Sequence, residues 1–211
     1  MTPKIAVIDA GHGGDDPGAV GWANHSPDII PRHEDNQNLI IAKHIAAELD
    51  SRGYFVVMTR TEDRNMSLAE RVDFANKLNP DVVISIHRDA SSSPNTQGMH
   101  TAYHAFAPGK PSKAGMKLAK CLQKHVSLRT GLRDNGVRSR PAFRDGVQVE
   151  SSLAILRETH APAALMELGF MSHPGEELLG DNPDFIQAVA IGTGDALDDY
   201  FGRKERFNEC D

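Results

Sequence analysis

The stretch IAVIDAGHGGDDPGAVG, residues 5–21, decides the reading of this chain. An apolar run, Ile5 to Ile8, reads as a buried strand. It stops at Asp9, and a glycine-rich turn then carries His12. Such a turn can cradle a phosphate or present a metal ligand. The phosphate reading fails in detail. Neither GxxxxGK[ST] nor GxGxxG occurs in the stretch, and Asp15 and Asp16 would repel an anion. A strand that ends on His12, with glycines that let backbone approach closely, fits a metal site.

Outward from this stretch, short β-branched runs alternate with helical patterns. IAVID (5–9), YFVVMTR (54–60), DVVISIH (81–87), MHTAYHA (99–105) and AALMELGF (163–170) read as strands. Residues 38–53 read as a helix closed by Gly53, and residues 67–78 as one opened by a Ser67/Glu70 capping box. Residues 112–128 and 184–201 add two more, and ESSLAILRET (150–159) a short one. This order predicts an α/β fold. Its mostly parallel twisted sheet has about six strands, with helices on both faces. No repeat, linker or break in composition divides the chain. One domain is expected over residues 1–202, followed by a polar tail over 203–211.

Composition narrows the function classes. The chain has 211 residues, enough for one well-buried core. A formal net charge of −6 argues against nucleic acid as a partner. Only two cysteines occur, Cys121 and Cys210, which is not a disulfide framework, and no CxxC pair suggests a zinc ribbon. The N-terminal apolar run is too short for a secretory leader, and no run approaches the ~20 residues of a membrane-spanning helix. Synthesis in a cytoplasm, no stable membrane association and a monomeric state are the expectations.

Ligands of open α/β sheets bind outside the carboxyl ends of the strands. His12, His87 and Glu167 all fall at or near such ends. Glu34, in PRHEDNQN (31–38), precedes the first long helix and passes over the same edge. Two histidines and a carboxylate form a known catalytic zinc set that leaves a position for water. Singly, each residue has an ordinary structural reading: a hydrogen-bonded core-edge histidine, or a glutamate favoured by a helix dipole. Glu167 inside an apolar strand is harder to dismiss, because burying a carboxylate without a partner is costly. His100 and His104, four apart on one strand face, read equally as a polar face of the sheet.

IAVIDAGHGGDDPGAVG, HEDNQNLIIAKHIAAELDSRGYFVVMTRTEDRNMSLAERVDFAN, PDVVISIHRDA and APAALMELGFMSHPGEELL together resemble, in order and over nearly the whole chain, the zinc-dependent N-acetylmuramoyl-L-alanine amidases of amidase-3 type. The resemblance implies one Zn2+ held by His12, Glu34 and His87, with Glu167 as catalytic acid and base. The implied substrate is peptidoglycan, cut between the lactyl group of N-acetylmuramic acid and L-alanine. The chain departs from the family pattern at Arg88-Asp89, where a small residue and Asn are usual, and at Ser172-His173.

Further expectations follow from what surrounds these motifs. The stretch 131–162 has little room for the long inserted helix of partner-controlled members, so an open site is expected. A leaderless catalytic domain fits a phage or prophage endolysin, acting on the cell wall or periplasm after release, with thin walls as its target. The stretch 129–144 reads as a basic loop that offers Arg138 and Arg140 as clamps for stem-peptide carboxylates, and Asp89 is a further candidate substrate contact. The rival readings are a zinc peptidase acting on stem peptides and a non-enzymatic peptidoglycan-binding module.

Overall fold

The computed structural model describes residues 2–21, 30–107, 110–140, 143–144, 147–148, 153–203 and 210. In chain order the elements are β1 (Ile5–Ala10), α1 (Glu34–Ser51), β2 (Phe55–Met58), α2 (Leu68–Leu78), β3 (Val82–Asp89), β4 (Met99–Ala107), β5 (Lys110–Pro111), α3 (Lys113–Thr130), β6 (Asp134–Arg140), β7 (Phe143–Arg144), β8 (Val147–Gln148), α4 (Ala154–Arg157), β9 (Ala163–Phe170), α5 (Pro174–Glu177) and α6 (Pro183–Tyr200). The main sheet has seven strands in the order β2-β1-β3-β9-β4-β5, with β6 also paired to β4. β2, β1, β3 and β9 run parallel, whereas β4 is antiparallel to β9 and parallel to β6.

The central strands are mostly apolar because helices cover both faces. Ala6, Ile8, Ile84, Ile86 and Met166 pack in a large core with residues of α1, α3 and α6. Val7, Val83, Ala163 and Leu165 face a smaller core with Val72 and Ala75 of α2 and Ile155 of α4. Ser67 caps α2 as its sequence indicates: its Oγ accepts from Glu70 N at 3.3 Å, and Glu70 Oε2 accepts from Ser67 N at 2.7 Å.

Three sequence expectations change. α1 begins at Glu34, four residues before the apolar pattern starts, because its first turn is polar yet buried. Residues 134–140 of the basic segment form β6, which among the described residues pairs with β4 alone. Its one-sided pairing removes the need for the apolar run that marks a central strand. Finally, Cys121 on α3 is disulfide-bonded to Cys210, 89 residues later. Cys210 is buried against the large core, a placement that spacing along the chain does not announce. Among the described residues no helix is long and apolar enough to cross a membrane.

Candidate metal centre

The turn after β1, the start of α1 and the end of β3 meet at one sheet edge. His12, Glu34 and His87 each bring a ligand-capable atom there, all within 4.8 Å of one another. His12 Nε2 lies 3.3 Å from Glu34 Oε2, and His87 Nδ1 lies 3.0 Å from Glu34 Oε1. Glu34 is buried, while the two imidazoles keep 25% and 20% of their side-chain surface exposed, enough for a small molecule to reach them. Backbone and side-chain donors aim the carboxylate: Ala19 N at 2.8 Å on Oε2, Arg88 N at 2.9 Å and Asn38 Nδ2 at 3.1 Å on Oε1.

The glycines fit this packing. A Cβ on Gly11 would stand 2.3 Å from the His87 ring, and one on Gly18 would stand 2.6 Å from Glu34 Oε2. His12 itself adopts a left-handed backbone, φ 59°, which a non-glycine residue holds only when its surroundings enforce it. Two buried arginines do so. Arg71 of α2 donates to the carbonyls of Ala10 at 2.7 Å and His12 at 2.6 Å, and Arg60 donates to those of Ala10 and Gly11, each at 2.9 Å. Arg60 also reaches the Asp35 carbonyl at 2.7 Å, tying the His12 turn to the start of α1. Asp9, which ends the apolar run of β1, is no ligand. It accepts from Thr59 and Arg71 on Oδ1, at 2.8 and 2.9 Å, and from Ser85 on Oδ2 at 2.7 Å.

Asp16 is a site residue that the sequence reading treats only as an obstacle to phosphate. Its Oδ2 accepts from His12 Nδ1 at 2.7 Å, which places the proton on Nδ1 and leaves Nε2 toward Glu34. Its place four residues after His12 is a trace in the sequence, but it does not name Asp16 as the acceptor.

Glu167 on β9 stands in direct register with His87 on one side and His100 of β4 on the other. The three side chains therefore share one face of the sheet, the one above α2 and α4. Asp89, also sought as a substrate contact, lies with Oδ2 3.7 Å from His100 Nδ1. A cleft of about 640 Å³ opens on this face, walled by Gly11, His12, His87 and Arg71 and floored by Leu153, Ile155 and Leu165. The short α4 contributes to its floor and does not fill it.

The remaining candidates lie elsewhere. Arg138 pairs with Ala102, which faces Leu165, so it sits two strands from β9 and two residues back from Glu167. Arg140 is two residues further along β6, beside His104. Neither is brought to the cluster of His12, Glu34 and His87 by this register. Arg88 turns away from the cleft and is buried, donating to Gln37 Oε1 of α1 and to the Glu176 carbonyl of α5. The departure from the family pattern at this position thus braces α1 against α5. His173 caps α5, its Nδ1 accepting from Gly175 N at 3.1 Å and Glu176 N at 3.2 Å.

Electrostatically the cluster suits a cation. Burial opposes protonation of His12, but the hydrogen bond and charge of Glu34, followed by those of Asp16, push it up to about 9. Burial would raise Glu34, yet the two histidines hold it far below the usual carboxylate range. His87 moves up likewise: burial opposes the proton, while Glu34 and then Glu167 favour it. The site has two nitrogen donors, a fixed carboxylate and an open side. That donor set fits a single zinc ion.

The family model for N-acetylmuramoyl-L-alanine amidase (Amidase_3) matches residues 6–199. The chain is 32% identical over 201 residues to the probable cell wall amidase LytH of Staphylococcus epidermidis, covering 95% of this chain and 60% of that protein. The catalytic domain of the N-acetylmuramoyl-L-alanine amidase CwlV from Bacillus (Paenibacillus) polymyxa var. colistinus superposes with a TM-score of 0.80 at 32% identity, covering 95% of this chain and 99% of that one. An N-acetylmuramoyl-L-alanine amidase from Clostridium difficile 630 gives a TM-score of 0.81 at 31% identity, covering 97% and 100%. Matched by the family model over nearly its whole length, and alike in fold to these enzymes, the chain belongs to the N-acetylmuramoyl-L-alanine amidase family Amidase_3.

Proposed function

We propose that the protein is a zinc-dependent amidase of the bacterial cell wall, hydrolysing the amide between the lactyl group of N-acetylmuramic acid and L-alanine of the stem peptide. The observation that carries this reading is the convergence of His12, Glu34 and His87 within 4.8 Å, beside a glutamate in register with His87. Zinc at these residues would make a water nucleophilic near neutral pH and polarise the scissile carbonyl. Glu167, in register with His87, would act as base toward the attacking water and then as acid toward the departing alanine nitrogen. Asp16 keeps His12 in the tautomer that presents Nε2, and Arg60 and Arg71 hold the turn on which His12 sits. The apolar floor of Leu153, Ile155 and Leu165 supports uncharged parts of the substrate.

Digestion of purified peptidoglycan, followed by mass analysis of the fragments, tests this. Free stem peptides beginning at L-alanine, lost on chelation and regained with added Zn2+, are the expected result. Shortened peptides still attached to muramic acid would assign the chain to a peptidase activity, and binding without cleavage would make it a wall-binding module.

A further inference from the structure

On the α3 and α6 side of the sheet, away from the cleft, a second set of metal-capable side chains comes together. Cys121, Asp199 and Cys210 are all buried, and each offers a ligand atom within 4.8 Å of the others. His125, one helical turn after Cys121, orients the carboxylate, with Nε2 2.9 Å from Asp199 Oδ2. The same oxygen lies 3.1 Å from Cys210 Sγ. In the disulfide that sulfur carries no proton, so the contact sets a buried carboxylate against a sulfur that has nothing to donate. A thiol proton or a shared cation would satisfy all three groups at once.

We propose that Cys121, Cys210 and Asp199, supported by His125, form a second metal site that takes one thiophilic divalent cation of the zinc class when the disulfide is reduced. Two thiolates and a carboxylate form a donor set that zinc accepts and that magnesium or calcium does not favour. A dithiol supplies two electrons and two protons to the S–S bond and is itself oxidised to a disulfide. The cation then replaces the two thiol protons with two metal–sulfur bonds, releasing both protons to solvent. In either state Cys210 stays joined to α3, by a covalent bond or by the ion, and the ion also reaches α6 through Asp199. The site is closed by burial, which suits a structural ion rather than a catalytic one.

The test uses the whole 211-residue chain, stripped of metal, either oxidised or reduced and freed of reductant without air. Cd2+ is the probe, read by sulfur-to-metal charge-transfer absorption. We expect one absorbing equivalent in the reduced protein and none in the oxidised. The band should vanish in Cys210→Ser, weaken in affinity about tenfold or more in Asp199→Asn, and persist in a His12→Ala/His87→Ala double variant. In reduced wild-type protein, which needs no variant to fold, one equivalent of Zn2+ should slow alkylation of both thiols about tenfold or more. A reduced wild type without the band, a band that survives Cys210→Ser, or alkylation indifferent to Zn2+ would each overturn the proposal and leave a plain disulfide.

Discussion

His12 shows how much one residue asks of its neighbours. It turns a ring nitrogen toward Glu34 from a left-handed backbone, and that conformation persists because Arg71 donates to its carbonyl and Asp16 fixes its ring. Asp16→Asn keeps the size of the side chain but replaces the anion with a neutral amide that can accept from the ring only weakly. We expect zinc affinity to fall about 10- to 100-fold, with the fold unchanged, measured by competition with a chromophoric chelator. The meeting of His12, Glu34 and His87 at one edge was legible in the sequence, because each lies where a strand end or helix start must reach it. Asp16 was not, since nothing along the chain says which acceptor the far nitrogen of a histidine will find. His100 was ambiguous for a similar reason. Only the pairing of β4 with β9 shows that it stands opposite Glu167.

At the scale of elements, the cross-brace of β1, β3 and α2 is the part to probe. Asp9 is buried between Thr59, Ser85 and Arg71. Burial would raise its pKa, but the Arg71 charge and the three hydrogen bonds hold it below the ordinary value of 3.8. A carboxyl depressed in the folded state stabilises fully above its unfolded pKa, and that stability is lost as pH falls through the folded value. Arg71→Ala leaves the Asp9 charge buried without its partner, which costs about 3–5 kcal/mol at neutral pH. We expect the gap in urea midpoint between the variant and wild type to narrow between neutral pH and about pH 3, as the variant's Asp9 becomes neutral. A gap constant over that range would remove Asp9 from the explanation. Elements whose signals are local were read correctly, as with the Ser67/Glu70 box of α2. α1 and β6 were misjudged at one end or altogether, because buried polar residues and one-sided pairing erase the apolar periodicity on which such reading depends.

For the whole molecule, strand direction arranges the chemistry. The parallel strands β1, β3 and β9 place His12, His87 and Glu167 toward a common edge, and the reversed β4 brings His100 to the same level. The parallel part followed from the alternation of strands and helices. The reversal of β4 and the bond between Cys121 and Cys210 did not, because both depend on contacts between distant segments that no local pattern records. The central claim is that one set of residues holds the metal while Glu167 moves the proton. Zinc content and amide cleavage measured on the same preparations of wild type, His87→Ala and Glu167→Gln separate these roles most directly. We expect one zinc per chain and full activity in wild type, loss of both in His87→Ala, and in Glu167→Gln zinc retained with cleavage slowed about 10²- to 10⁴-fold. Cleavage by Glu167→Gln at the wild-type rate, or full zinc in His87→Ala, would contradict the account.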